Sequence, residues 1–244
     1  MQQGLNHYVL TRSGGISTGA YNSLNLSFNA GDNEANVNTN RKIVAGLLDV
    51  EAERLFFPEQ CHTSNIRIVD KNFREKLPET DAIITAGTNI GIGVLSADCV
   101  PILFFDTKRR VIAAAHAGWR GTVKRITEKV VLAMRDNFGT DTSDILVGIG
   151  PGISQKNYEV DESVISQVRQ CITKPGRFYS SSPNKGRYLL NLQQLNHQIL
   201  ADTGIPEPNI ETIGKCTFDN RRLFFSARRD GFYTGRFGTV ICMK

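Results

Sequence analysis

Apolar residues fall into two patterns along the chain: short uninterrupted runs, and longer stretches in which they recur every three or four positions. The first pattern reads as strands and the second as helices. Runs at 66–69, 82–85, 92–95, 102–105, 111–115 and 145–149 predict strands, with further short ones at 223–225 and 238–242. Val37, Ile43, Val44, Leu47 and Leu48 share one side of a helix. Val123, Ile126, Val130, Met134 and Phe138 share a side of another, which Gly139 ends as a C-cap. Helices are also expected at 162–172 and 192–202. After a short apolar segment ending at Leu10, positions 12–34 are rich in Gly, Ser and Asn and read as a long loop, a feature that in compact domains is often functional. A second loop is expected at 173–186. Strands and helices mix without regular βαβ alternation, which predicts an α/β protein with mixed sheets. The 244 residues fit a single domain spanning 1–244.

The strands at 102–105 and 111–115 flank Asp106-Thr107-Lys108-Arg109-Arg110, so an antiparallel hairpin is the economical connection. If Asp106 faces Val111, His116 lies opposite Pro101 and Cys99 opposite Gly118, at the hairpin's open end. The two side chains are then diagonal neighbours on one face, about 7–8 Å apart or less, and can share a metal. Thiolate and imidazole suit zinc, and a catalytic zinc takes three protein ligands with a fourth position open. Of the four histidines, His62 is the best third ligand because it stands in a loop just before a strand. The bland reading is that Cys99 is a small buried hydrophobe and His116 only a hydrogen-bonding group. On spacing alone that reading is the stronger, since no contiguous ligand motif is present.

Composition narrows the class. With 40% hydrophobic and 22% charged residues, the chain is ordinary for a globular protein. The net charge of +5 is carried by scattered pairs such as Arg109-Arg110 and Lys124-Arg125, which argues against a nucleic-acid footprint. The five cysteines form no CxxC pair, and no apolar leader or membrane span is evident. These features predict a protein of the reducing cytoplasm.

Several segments together resemble the YfiH family, also called the laccase-domain or polyphenol oxidase family. They include Ser96-Ala97-Asp98-Cys99-Val100-Pro101, Ala115-His116-Ala117-Gly118-Trp119-Arg120-Gly121 and Gln60-Cys61-His62. Thr11-Arg12-Ser13-Gly14-Gly15, Asn40-Arg41, Gly150-Pro151, Tyr158-Glu159-Val160, Cys216-Thr217 and Phe224-Phe225-Ser226 with Arg228-Arg229-Asp230 follow in family order. The resemblance implies a layered α/β/β/α fold and a zinc site of His62, Cys99 and His116. It further implies purine nucleoside phosphorylase activity on adenosine, inosine and methylthioadenosine, with adenosine deaminase activity and an older oxidase label. Three departures leave substrate preference open: Cys61 replaces a common Val, Ser154-Gln155-Lys156-Asn157 lacks cysteines often found there, and Ala227 replaces an aromatic.

For deamination, Asp98 is the candidate proton shuttle, with a ligand-orienting hydrogen bond as its equal alternative. For phosphorolysis, the start of the helix after Gly118 and the guanidinium of Arg120 are candidates for holding phosphate. Arg41, Arg228 and Arg229 join them through the resemblance, with surface salt bridges the competing role for each. Trp119 is a candidate for stacking on a base, against a core role. Two rival readings use the same residues. A metal-free cysteine hydrolase would use Cys99 as nucleophile and His116 as base. A copper oxidase needs a cluster held by many imidazoles, which four histidines cannot supply.

Overall fold

A computed structural model of the protein describes residues 4–244. Its elements begin with β1 (Leu5–Val9), α1 (Glu34–Leu48), β2 (Leu55–Phe56), β3 (Ile66–Ile68), β4 (Ala82–Thr85), β5 (Gly91–Ser96), β6 (Val100–Asp106) and β7 (Val111–Ala117). They continue with α2 (Trp119–Val123), α3 (Ile126–Phe138), β8 (Ile145–Ile149), β9 (Glu159–Asp161), α4 (Glu162–Cys171), β10 (Tyr179–Ser181) and β11 (Arg187–Leu190). The last are α5 (Leu192–Asp202), β12 (Ile210–Thr212), α6 (Ala227–Asp230) and β13 (Phe237–Met243). One sheet has the order β1-β13-β5-β2 and a larger one β12-β8-β6-β7-β4-β3, with β10-β11-β9 as a small third. Parallel pairs β2–β5, β3–β4 and β8–β12 stand beside antiparallel ones, so the sheets are mixed as expected.

Strand β6 shows how the layers stack. Side chains alternate across a strand, and every residue of β6 is buried. Val100, Ile102 and Phe104 face the apolar cluster built by Ile126 and Val130 of α3, Ile165 of α4 and Leu195 and Ile199 of α5. Leu103 and Phe105 face Ile92, Val94 and Ile241 of the smaller sheet. A strand buried on both faces requires the uninterrupted apolar run seen in its sequence. On the far side of the smaller sheet, Val44 and Leu48 of α1 pack against Leu26, Val240 and Cys242. The layers therefore run helix, sheet, sheet, helix.

The structure corrects three expectations and bears out a fourth, the long loop at 12–34. The helix read from Val123 to Phe138 is two, because Arg125 adopts φ 57° between α2 and α3. No strand forms at 223–225; Phe224 and Phe225 are buried from a turn, packed with Phe237. The loop at 173–186 contains β10, which pairs with β11. The loop at 12–34 is irregular but fixed, because Asn40 of α1 reaches into it: its amide donates to Ser17 Oγ, Ser23 O and Asn25 O, and its carbonyl accepts from Ile16 N.

Candidate metal centre

Cys99 stands where the chain crosses from one sheet to the other. β5 ends at Ser96 in the smaller sheet and β6 begins at Val100 in the larger, so the residues between must turn sharply. Asp98 makes the turn at φ 102°, a conformation costly for any residue with a Cβ, and the Ser96 hydroxyl donates to the Cys99 carbonyl. Contacts from three later segments hold Asp98 there. Its carbonyl accepts from Ile153 N at 2.9 Å. Its carboxylate accepts from the Thr217 hydroxyl at 2.6 Å and from Arg228 N at 2.7 Å.

His116 lies on β7 opposite Pro101, in the register that pairs Asp106 with Val111. The hairpin geometry expected from the apolar runs is the geometry found. His62 arrives from the loop after β2, at φ 58°. What holds this second left-handed residue is Asp81, fully buried at the head of β4. The Asp81 carboxylate accepts from the backbone N–H groups of Cys61, His62 and Thr63 at 3.2, 3.1 and 2.7 Å, and from the Thr63 hydroxyl at 2.7 Å. One of its oxygens also meets His116 Nδ1 at 2.8 Å. A single carboxylate thus shapes the loop that carries one imidazole and orients the other.

The result is a trio, His62, Cys99 and His116, whose ligating atoms all lie within 4.8 Å of one another. His62 Nε2 is 3.8 Å from Cys99 Sγ, and the two imidazoles meet edge to face with centroids 5.0 Å apart. With Nδ1 engaged by Asp81, His116 has Nε2 left for an ion, the arrangement in which a carboxylate fixes the tautomer and direction of a metal-binding histidine. Gly118 closes the centre: a Cβ there would fall 2.9 Å from Cys99 Sγ and 2.9 Å from His62 Cδ2. Space rather than backbone conformation demands glycine. Thiolate, two imidazoles and an orienting carboxylate fit a transition-metal ion.

The electrostatics agree with that donor set. Burial alone would push the Cys99 thiol up, but the charge of His116 and hydrogen bonds from both imidazoles outweigh it and bring it down to about 6. Burial alone would lower His116, yet the Cys99 charge and the Asp81 hydrogen bond raise it to about 9. For Asp81, the hydrogen bond and charge of His116 and the Thr63 contacts overcome burial and hold the carboxyl at about 2.

The arginines divide. Arg229 donates to the carbonyls of Thr217, Phe218 and Phe224 and pairs with Asp230 at 2.6 Å. It braces a turn, so the phosphate role expected of it is withdrawn. Arg41 is set between the Phe28 and Phe57 rings at 4.3 and 5.0 Å, with Nε donating to Leu26 O; burial lowers its pKa to about 10. Arg228 lies 5.3 Å over the Tyr158 ring and donates to Glu159 O. Arg120 is exposed, 4.5 Å over Trp119, which itself packs against the core. The helix after Gly118 is only Trp119–Val123, too short for the anion site expected at its start. Asp81 was missed in the sequence, where its one signal is an acidic residue leading directly into an apolar run; Thr217 stood within the resembling Cys216-Thr217 segment, but no role was read for it.

A family model described as multi-copper polyphenol oxidoreductase laccase matches residues 6–244. The chain is 35% identical over 242 residues to the purine nucleoside phosphorylase YlmD of Bacillus subtilis, covering 96% of this chain and 87% of that one. It is 32% identical over 250 residues to the adenosine deaminase RL5 of an unknown prokaryotic organism, covering 99% and 95%. The crystal structure of YlmD from Geobacillus stearothermophilus superposes with a TM-score of 0.94 at 32% identity, covering 99% of this chain and 93% of that one. The chain belongs to the YfiH family. In this YfiH-family chain, His7 lies on β1 and His197 on α5, where it meets Glu207 at 3.4 Å, so only two of the four histidines reach the centre. Among the described residues no helix is long and apolar enough to cross a membrane.

Proposed function

We propose that the protein is a zinc-dependent purine nucleoside phosphorylase, splitting adenosine, inosine or methylthioadenosine with phosphate into base and ribose 1-phosphate, with adenosine deaminase activity at the same site. The observation that carries the reading is the His62, Cys99 and His116 trio with His116 aimed by Asp81, taken with relatives of both activity names. When bound, zinc supplies a Lewis acid at its open position.

The chain's own residues would do the rest. Arg41 keeps its charge at neutral pH, and with Nε tied to Leu26 O its two terminal nitrogens are the part of the fork left for an oxyanion. Arg228 and Arg120 add positive charge on the Tyr158 side, and opposite charge lowers the cost of bringing phosphate to an electron-rich nucleoside. Asp98 is assigned the orienting role, because both carboxylate oxygens are engaged by Thr217 and Arg228. It holds the arginine-bearing segment against the Cys99 turn.

Elemental analysis paired with an adenosine-plus-phosphate assay tests the proposal. About one zinc per chain is expected, with adenine or inosine release lost on chelation and restored by zinc. Cys99→Ala should lose metal and turnover while the circular dichroism spectrum stays native; full activity in that variant overturns the reading. One observation favours a second reading: a lowered thiol beside a raised imidazole, backed by Asp81, is also the layout of a cysteine hydrolase. A metal-free protein that stays active under chelation and dies on alkylation would establish it. The copper oxidase reading has the family model's description behind it but lacks the geometry, because among the described residues the one group of side chains that could hold a metal contains two imidazoles.

A further inference from the structure

Between α6 and β13 the chain makes a short excursion whose tip carries Phe232 and Tyr233. They are 69% and 71% exposed, while no other exposed large hydrophobic side chain in the described chain exceeds 49%. Their rings meet edge to face with centroids 5.6 Å apart. Single apolar residues on a surface are ordinary, but this pair is held in place. The Arg236 guanidinium donates to the carbonyls of Thr234, Gly235 and Phe232 at 2.5, 3.0 and 3.3 Å and lies 5.9 Å from the Phe232 ring. Gly235 is pressed so closely on Phe225 that a Cβ would fall 2.5 Å from its ring. The Thr234 hydroxyl reaches Ala20 O at 3.5 Å, and Tyr233 borders Gly31, so the excursion also leans on the fixed 12–34 loop. Ordering a backbone costs conformational entropy, and here the ordered segment presents two large rings to water.

Both roots of the excursion lie beside the metal centre. At one, Arg228 N donates to Asp98, the neighbour of Cys99. At the other, Phe237 pairs with Ser96, the residue before the Ala97-Asp98-Cys99 turn. Arg236 is close enough to that turn that, although burial lowers its pKa, the charges of Cys99 and Asp98 pull the other way.

We propose that Phe232 and Tyr233 form an aromatic platform at the rim of the centre, one ring stacking on the purine base of the substrate while the other braces it edge to face. The proposal rests on the purine nucleoside reading above. A purine offers a flat π-face whatever its ring substituents, and an aromatic side chain stacks on it with little regard to the base's identity. Arg236 is the positioning residue, folding the excursion round its guanidinium so that the rings are set before substrate arrives.

The test is the double variant Phe232→Ser/Tyr233→Ser, compared with wild type. The expected result is a rise of about tenfold or more in KM for adenosine and inosine alike, equivalent to about 1.4 kcal/mol. Zinc content and the KM for phosphate should not move, and Tyr233→Phe should retain the wild-type KM. Unchanged nucleoside KM in a metal-replete variant overturns the platform, and so does unchanged KM with a shift from dimer to monomer in sedimentation, which would make the pair a contact between copies. If wild type turns over no nucleoside, the phosphorylase reading has failed, and calorimetry with adenine still decides the platform. Weaker adenine binding by the variant supports it; equal binding or none to either overturns it.

Discussion

Two buried aspartates flank the centre and do different work. Asp81 gathers three successive backbone N–H groups from the 61–63 loop and meets the His116 imidazole directly. Asp98 sits next to Cys99 in sequence, yet its carboxylate points to Thr217 and to the start of α6. One sets the two imidazoles; the other sets the wall that faces them. Adjacency in sequence to a catalytic-looking cysteine is therefore a poorer guide to a carboxylate's role than what its oxygens accept.

The contrast can be broken most severely at Asp81. Asp81→Ala should lower metal affinity and turnover on the order of 100-fold, since the orienting partner is lost and the loop carrying His62 loses the three backbone hydrogen bonds that shape it; metal titration followed by assay reads both. Asp98→Ala should cost about tenfold in turnover while elemental analysis still finds the ion. Metal loss from Asp98→Ala equal to that from Asp81→Ala would erase the distinction. The smallest effect is on pH. Asp81 is held at about 2, below its ordinary 3.8, so the stability it contributes is present above about pH 4 and is lost as pH falls through about 2. Acid unfolding of the metal-free protein should show this as a loss of about 2 kcal/mol across that window, absent in Asp81→Asn.

The sequence announced the hairpin because burial on both faces leaves an apolar run that fixes strand, turn and register together, and with them the placement of Cys99 and His116. Asp81 escaped because its meaning depends on His116, thirty-five residues away, and no local period encodes that. The short strands β9, β10 and β12 have only three residues each and include exposed positions, too few to establish an alternation. Phe224 and Phe225 misled for the opposite reason: apolar side chains buried from a turn look, in sequence, like a strand. The break at Arg125 left no trace, because the apolar spacing runs on through it.

Cys99 belongs to the crossing between the sheets, His116 to the larger sheet, and His62 to the loop leaving the smaller one. An ion held by all three would rivet the two layers at one end, fastening segments whose linking chain must otherwise explore a wide space. Its occupancy would then govern more than chemistry. Free ion concentration would set the unfolding temperature through mass action, and when a chelated sample is heated the sandwich should come apart from this end first.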